Sequence, residues 1–136
     1  MSHAGRGPRM PFTQIHIRKG RTREQKQAIM DGLYTAMRET LAVPEDDRFM
    51  TITEYDPENF SFSYNYPNVN RTDDLILIQL TISNTRSRAQ KLDFYRAVNR
   101  ELTERLGCSP DDIFINVVGV LPENWSFGQG RAQNIE

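Results

Sequence analysis

Two stretches of equal length decide the fold: "GRTREQKQAIMDGLYTAMRETLAVPEDDRFMTIT" at 20–53 and "TRSRAQKLDFYRAVNRELTERLGCSPDDIFINVV" at 85–118. They align without a gap at an offset of 65 residues. Identical residues recur along the whole register, including Arg21 and Arg86, Gln25 and Gln90, Leu41 and Leu106, Asp47 and Asp112, and Phe49 and Phe114. Such agreement indicates an internal repeat of one structural unit. Two residues at equal positions in the two copies are called repeat mates below.

Each copy has the pattern of a strand, a helix and a second strand. The segment "FTQIHI" at 12–17 alternates apolar and polar residues, as a strand with one covered face does. A Thr-x-x-Gln capping box at Thr22 and Gln25 predicts the helix start, and Ser87 and Gln90 repeat it. Apolar stripes at helical spacing follow, namely Ile29, Leu33, Met37 and Leu41, then Tyr95, Val98, Leu102 and Leu106.

Two strand–helix–strand units define the architecture. The two strands of a βαβ unit are parallel, and the crossover is right-handed. The sequence therefore predicts an α/β (α+β) fold with a four-stranded mixed sheet and two helices on one face. The helices leave the other face of the sheet without cover, where we expect Ile, Val and Leu to need burial. Oligomerisation is the expected remedy.

The chain of 136 residues fits one domain, which we assign to residues 11–136. The two units occupy roughly 11–54 and 75–120, and a C-terminal segment covers 121–136. A linker rich in Phe, Tyr and Asn joins the units and is expected to form a hairpin or a subunit contact. Residues 1–10 have no hydrophobic core typical of a signal peptide and are interpreted as a disordered leader or as sequence upstream of the true start.

Composition excludes several classes of partner. Seventeen basic and eighteen acidic residues give a net charge of −1, so charge offers no reason to expect binding to nucleic acid or to an anionic membrane. No apolar run is long enough to span a bilayer. Cys108 is the single cysteine, so no intramolecular disulfide can form, which suits a cytoplasmic location. No cluster of residues resembles a metal site or a cofactor loop.

Met10 and Pro11 stand directly before the first predicted strand. If Met10 were the initiator and were removed, Pro11 would carry the only secondary amine that the standard amino acids supply. Such an amine titrates near an ordinary α-amino group, at about 8, and could act as a general base or acid. The alternative is a proline that merely begins a strand. The repeat mate of Pro11 is Ile76, so the fold itself does not require proline there.

The sequence resembles the tautomerase superfamily, whose members carry βαβ units and a catalytic N-terminal proline. The segments that carry the resemblance are the Met-Pro strand start, "GRTREQK", "VPEDDRF", the second "TRSRAQK" and "NWSFGQGRA". The fused two-unit form most resembles malonate semialdehyde decarboxylase and its relatives. The resemblance covers nearly everything from Pro11 to Gln133. It implies a homotrimer with no metal and no organic cofactor.

The resemblance also implies roles for individual residues. Pro11 falls on the catalytic proline, and Arg86 falls on an arginine that helps to hold the substrate carboxylate. Asp47 falls on an acidic residue near the proline, where it could position water or tune the amine. Because Arg21 and Asp112 repeat these two side chains, structural roles at a helix start and in a turn remain open alternatives.

Further site residues follow from the same resemblance. Trp125 and Phe127 match an apolar wall over the active site, with a plain C-terminal core plug as the alternative. Asn84 stands where the family pattern has a second arginine, so one substrate-binding charge is missing. Arg88 is the alternative source of that charge. His16 lies on a strand and is expected to be satisfied by solvent or by the core.

The function predicted from these residues is keto–enol tautomerisation of a small oxo acid, with Pro11 as the base and Arg86 on the carboxylate. The first alternative is decarboxylation of a β-keto acid, or hydration of an acetylenic acid, with protonated Pro11 as the acid. The second alternative is a non-catalytic oligomeric binding protein. It applies if the leader stays attached, because Pro11 then becomes an amide without a basic nitrogen.

Overall fold

The computed structural model describes residues 11–136 and has the predicted order of elements. The strands and helices are β1 (Phe12–Arg18), α1 (Arg23–Thr40), β2 (Phe49–Tyr55), β3 (Ile76–Ser83), α2 (Arg88–Leu106) and β4 (Ile113–Val120). Short 3₁₀ turns lie at Pro57–Asn59, Pro110–Asp112, Pro122–Asn124 and Gln133–Ile135. The prediction for the leader, residues 1–10, falls outside the described residues.

The four strands form one sheet in the order β2-β1-β3-β4. β1 is parallel to β2, and β3 is parallel to β4, as a helical crossover within each unit requires. β1 and β3 pair antiparallel at the centre, where Gln14 lies opposite its repeat mate Gln79. The predicted mixed sheet is confirmed, and an approximate two-fold axis at this glutamine pair relates the two units.

Both helices begin at the predicted capping boxes. The Thr22 hydroxyl accepts from the Gln25 backbone N at 3.1 Å, and the Gln25 side chain accepts from the Thr22 backbone N at 2.8 Å. Ser87 and Gln90 make the same two bonds at 3.1 and 2.9 Å. These bonds satisfy N–H groups that the first turn of a helix would otherwise leave without partners.

A single core lies between the two helices and one face of the sheet. In β1 and β3 the aliphatic residues at alternate positions are almost fully buried, and they pack against the apolar stripes of both helices. The stripe of α1 is buried as predicted. In α2, Phe94 is buried and Tyr95 only partly so, and Leu106 is partly buried at the last residue of the helix. Burying each large apolar side chain contributes roughly 1.5–3 kcal/mol.

The helices leave the opposite face of the sheet to solvent. Alternation along β1 puts Gln14 and His16 on this helix-free face, and the repeat mates Phe49 and Phe114 lie on it with 47% and 41% of their surface exposed. We expected Ile, Val and Leu here. Leu77 and Val118 do lie on this face, whereas most other aliphatic residues of β1 and β3 face the helices. The helix-free face thus combines some aliphatic side chains with aromatic and polar ones.

The linker between β2 and β3 folds back on its own chain. Phe60 is buried, and its ring makes edge contacts with Tyr55 and Phe62, both at 5.2 Å between centroids. The Arg18 guanidinium lies over the Phe62 ring at 5.3 Å. Within residues 11–136, no helix combines the length and the apolar character that crossing a membrane requires.

Candidate active site

The register of the sheet brings the predicted site residues to one end of the molecule. Phe12, the first residue of β1, lies opposite Phe49 at the start of β2 and opposite Thr81 near the end of β3. Residues that precede β1, precede β2 or follow β3 therefore meet there. The predicted residues at these positions are Pro11 before β1, Asp47 before β2, and Asn84 and Arg86 after β3.

Pro11 is buried at the entrance to β1. It continues the alternation of Thr13 and Ile15, which face the core. Its repeat mate Ile76, the first residue of β3, is fully buried. An aliphatic side chain therefore fills the equivalent position, and the fold has no steric need for proline at the start of β1.

Arg86 is almost fully buried, with 8% of its surface exposed. Its Nε donates to the backbone oxygen of Leu41, the residue that ends α1, at 3.0 Å. Burial lowers the pKa of the guanidinium, and the carboxylate of Asp47 opposes that shift. Because arginine starts from a very high pKa, it keeps its charge. A buried cation thus lies close to Asp47 at the negative end of the α1 dipole.

The repeat mate of Arg86 has a different partner. Arg21 is only partly buried, and its Nη2 donates to the backbone oxygen of Asp74 in the linker at 2.6 Å. The linker connects β2 to β3 at the end of the sheet that carries Arg21. The two arginines are therefore equivalent in sequence but not in environment.

Asp47 and its repeat mate Asp112 differ in the same way. Asp112 is 2% exposed, and its carboxylate accepts from the backbone N and the hydroxyl of Thr72 at 2.7 and 2.6 Å. This carboxylate fastens the linker to the start of β4. Asp47 is half-buried and interacts with Arg86 across the candidate site. The two carboxylates therefore lie in different environments, although they occupy equal positions in the repeat.

Asn84 is exposed at the end of β3, where its backbone N donates to the backbone oxygen of Val120 at 2.7 Å. Its amide side chain brings no positive charge to this position. Arg88, the alternative cation, is the exposed first residue of α2. Among the predicted residues, Arg86 is therefore the buried cation of the candidate site.

Trp125 and Phe127 form an aromatic pair beside this end of the sheet. Their ring centroids are 5.8 Å apart, and the indole N–H of Trp125 donates to the hydroxyl of Ser83 at 3.1 Å. Together with Phe12 and Phe49 they line a hollow of about 420 Å³. The predicted apolar wall thus borders Phe12, the neighbour of Pro11.

A turn in the C-terminal segment holds the aromatic pair in place. The side chain of Gln133 accepts from the backbone N of Phe127 at 3.0 Å and donates to the backbone oxygen of Gly128 at 2.9 Å. Gly128 has a backbone φ of 140°, which residues other than glycine rarely adopt. Sequence reasoning did not identify Gln133, since nothing in its spacing points to Phe127.

Arg48 also lines the hollow and was missed in the sequence. Its Nη2 lies 2.5 Å from a carboxylate oxygen of Asp31 on α1, and its guanidinium lies over the Tyr34 ring at 4.9 Å. The repeat mate of Arg48 is Ile113. The difference in side-chain chemistry between Arg48 and Ile113, like that between Pro11 and Ile76, is the sequence signal that could have identified Arg48.

His16 lies at the middle of β1, away from the candidate site. Its Nδ1 is 2.6 Å from the hydroxyl of Tyr55. The expectation that this side chain is satisfied within the fold is confirmed.

Two fused βαβ units in one mixed sheet, with a proline before β1 and a buried arginine after β3, define a two-unit protein of the tautomerase type. The sequence matches the tautomerase enzyme family over residues 2–63 and 47–128, and the chain belongs to that family. It is thus a tautomerase-superfamily enzyme of the fused two-unit kind.

Individual relatives agree with this assignment. The chain is 41% identical to the probable tautomerase YusQ of Bacillus subtilis strain 168 over 127 residues, which are 93% of this chain and 100% of that protein. Crystal structures of malonate semialdehyde decarboxylase share 30% identity and superpose with a TM-score of 0.86 over 92% of this chain and 96% of theirs. A fused 4-OT asymmetric trimer shares the fold at 18% identity, with a TM-score of 0.75 over 92% of this chain and 98% of that one.

Proposed function

We propose that this enzyme catalyses keto–enol tautomerisation of a small oxo acid, with Pro11 as the general base and Arg86 as the cation that binds the carboxylate. The observation that carries the proposal is the convergence of Pro11, Asp47 and Arg86 at one end of the sheet, beside an aromatic wall. A base, a buried guanidinium and an apolar cover are the parts that such a reaction requires.

The reaction needs one proton to be moved. The neutral amine of Pro11 accepts the proton of the enol hydroxyl, and the resulting ammonium returns it to the neighbouring carbon. The planar donors of Arg86 hold the carboxylate, which fixes the substrate and stabilises the enolate that develops. Trp125 and Phe127 exclude water, which favours the uncharged amine.

Asp47 completes this arrangement as a positioning residue. Its carboxylate lies close enough to Arg86 to oppose the lowering of the guanidinium pKa by burial. We infer that Asp47 keeps the guanidinium oriented while substrate binds.

The mechanism requires Pro11 to be the first residue of the mature protein, since an amide nitrogen is not basic. The solved malonate semialdehyde decarboxylase structures include a form whose first residue, a proline, is changed to alanine. This observation supports a start at Pro11.

A second candidate function is decarboxylation or hydration, with protonated Pro11 as the acid. The similarity to malonate semialdehyde decarboxylase, whose structures are described as a basis for decarboxylase and hydratase activities, favours it. Asn84 argues against it, because a charge-assisted contact worth roughly 1.5–3 kcal/mol is missing. If that contact acts in the transition state, the loss is about one to two decades in rate.

We also propose that the protein is a homotrimer joined through its helix-free faces. The exposed rings of Phe49 and Phe114 support an interface there, and a structure with the same fold is described as a trimer. Light scattering at micromolar concentration should report about three times the mass of one chain. A stable monomer would refute the proposal.

A cytoplasmic location completes the proposal. Cys108 is the single cysteine, so the chain can form no intramolecular disulfide. Such a chain needs no oxidising compartment for its stability. Cell fractionation with an antibody against the protein tests this location, and recovery from the culture medium would contradict it.

The decisive experiment compares two forms of the chain. One form begins at Pro11, and the other keeps residues 1–10 with an N-terminal block that prevents processing. We expect the first form to ketonise phenylenolpyruvate or 2-hydroxymuconate and the second form to be inactive, with intact mass confirming both N-termini. Equal turnover by the two forms would exclude Pro11 as the base, whereas no turnover by either form would favour the non-catalytic binding protein.

A further inference from the structure

The approximate two-fold axis relates the residues around Arg86 to equivalent residues that line a second cavity. This distal cavity has a volume of about 520 Å³ and lies at the opposite end of the sheet. Its lining includes Lys19, Arg21, Gln25, Leu106 and Cys108. Their repeat mates are Asn84, Arg86, Gln90, Leu41 and Val43, which surround the start of α2 and the end of α1.

The distal cavity carries cations that are open to exchange with a ligand. Among residues 11–136, no carboxylate oxygen lies within 4.0 Å of the Arg21 guanidinium. Its Nη2 donates to the backbone oxygen of Asp74 in the linker. Lys19 pairs with Asp56 at 2.9 Å, but the two side chains are 62% and 47% exposed. An exposed pair of this kind contributes little, so a bound anion can replace Asp56 at small cost.

Two carboxylates, Asp73 and Asp74, also line the distal cavity. Asp73 is already held by Arg18 at 2.9 Å and by the hydroxyl of Tyr64 at 2.6 Å. Asp74 presents its backbone oxygen to Arg21. Arg18 and Asp73 neutralise each other, so Lys19 and Arg21 are the lining cations that form no ion pair with a carboxylate of the lining.

The groups proposed for acid–base chemistry have no equivalent here. The repeat mate of Pro11 is the aliphatic Ile76, and the repeat mate of Asp47 is Asp112, whose carboxylate is occupied by Thr72. The distal cavity thus has cations for binding and no counterpart of the Pro11 amine at the matching position.

We propose that the distal cavity is a second, non-catalytic site that binds a small carboxylate through Lys19 and Arg21. These two residues put two cations two positions apart, where the candidate active site has Asn84 and Arg86. A planar guanidinium beside an ammonium suits a carboxylate. The choice of an oxo acid as the natural ligand rests on the proposed function, but the binding of a carboxylate does not.

Cys108 supplies a reporter for this site, because it lines the distal cavity and is the single cysteine of the chain. Malonate is the probe, since it carries carboxylates and does not tautomerise. The rate at which Cys108 reacts with a thiol reagent should fall on titration with malonate. The full chain is used throughout, and circular dichroism verifies that each variant is folded.

Matched variants separate the two sites. Arg21→Gln keeps a donor for the backbone oxygen of Asp74, and Lys19→Ala removes an exposed charge. Each should raise the malonate concentration for half-protection at least about tenfold, as expected for one charge-assisted contact. Arg86→Gln should leave the protection of Cys108 in place while weakening binding at the other end, which calorimetry reports as loss of one of two malonates per chain.

Three outcomes overturn the proposal. The first is no protection of Cys108 by malonate, and the second is protection that Arg21→Gln and Lys19→Ala leave unchanged. The third is equal protection by inorganic phosphate, which would mean an unselective anion site. The proposed function fails separately, if Arg86→Gln leaves turnover intact.

Discussion

Arg86 donates to the backbone oxygen of Leu41 at 3.0 Å, so the start of α2 is fastened to the end of α1. Its repeat mate Arg21 makes its bond to the linker instead. One residue type at one position of a repeated unit thus has two different environments. The buried environment, beside Asp47 and at the same end of the sheet as Pro11, is the one that suits a substrate carboxylate.

Substitution of these two arginines should separate the site from the scaffold. Arg86→Ala should lower kcat/KM by about two decades or more, since it removes the buried charge that we propose to bind the substrate carboxylate. Arg21→Ala should lower kcat/KM by a smaller factor, because Arg21 lies at the other end of the sheet. Assays on chains verified as folded check this, with Arg86→Lys as a variant that keeps the charge. Equal losses would mean that both arginines are structural.

The pH dependence distinguishes the two candidate reactions. If Pro11 is the base, kcat/KM rises with pH as the amine loses its proton, and if Pro11 is the acid, kcat/KM falls over the same interval. Pro11→Ala keeps a primary amine but changes its basicity and rigidity. It should lower activity without changing the mass of the trimer. Full activity of Pro11→Ala chains would remove proline chemistry from the mechanism.

Asn84→Arg should improve decarboxylation of malonate semialdehyde. The added guanidinium restores a charge-assisted contact, which is worth about one to two decades in rate. Asn84→Gln, which adds length without charge, is the control and should leave the rate low. Efficient decarboxylation by the unaltered chain would show that Asn84 is not the limiting residue.

The residues after the two helices permit a matched test of backbone strain. Ala42 has a φ of 54° and its repeat mate Gly107 has a φ of 67°, a left-handed conformation that favours glycine. A Cβ on Gly107 would meet no atom within 4 Å, so strain alone decides the outcome. Ala42→Gly should stabilise by up to about 1 kcal/mol, and Gly107→Ala should destabilise by a similar amount. Urea unfolding measures both, and shifts of the same sign would contradict the argument.

The ion pair of Asp31 and Arg48 predicts a pH-dependent stability. The hydrogen bond from Arg48 holds the pKa of the Asp31 carboxyl below its usual range. The stability that the ionised Asp31 carboxylate adds to the folded state is therefore present above about pH 4. It is lost as the pH falls through the lowered folded-state pKa. Asp31→Asn should cost less than about 1 kcal/mol at pH 7, because the pair is partly exposed. The difference from the unaltered chain should disappear near pH 2, and a cost that persists there would have another cause.

The architecture follows from the sequence because its signals are local or repeated. The capping boxes at Thr22 and Ser87, the alternation in 12–17 and the ungapped repeat each depend on neighbours along the chain. Two equal units joined by a linker then admit few sheets, which is why the mixed order could be predicted. The positions of Pro11, Asp47 and Arg86 at one end of that sheet follow from the same topology.

The partners of the individual side chains were decided only by the tertiary structure. Trp125 reaches Ser83, and Arg48 reaches Asp31, across distances in sequence that no periodicity encodes. The linker breaks the symmetry, because it lies at one end of the sheet, whereas the C-terminal segment with Trp125 lies at the other end. For that reason Asp112 is bound to Thr72 while Asp47 lies near Arg86, although the sequence presents the two acids as equals.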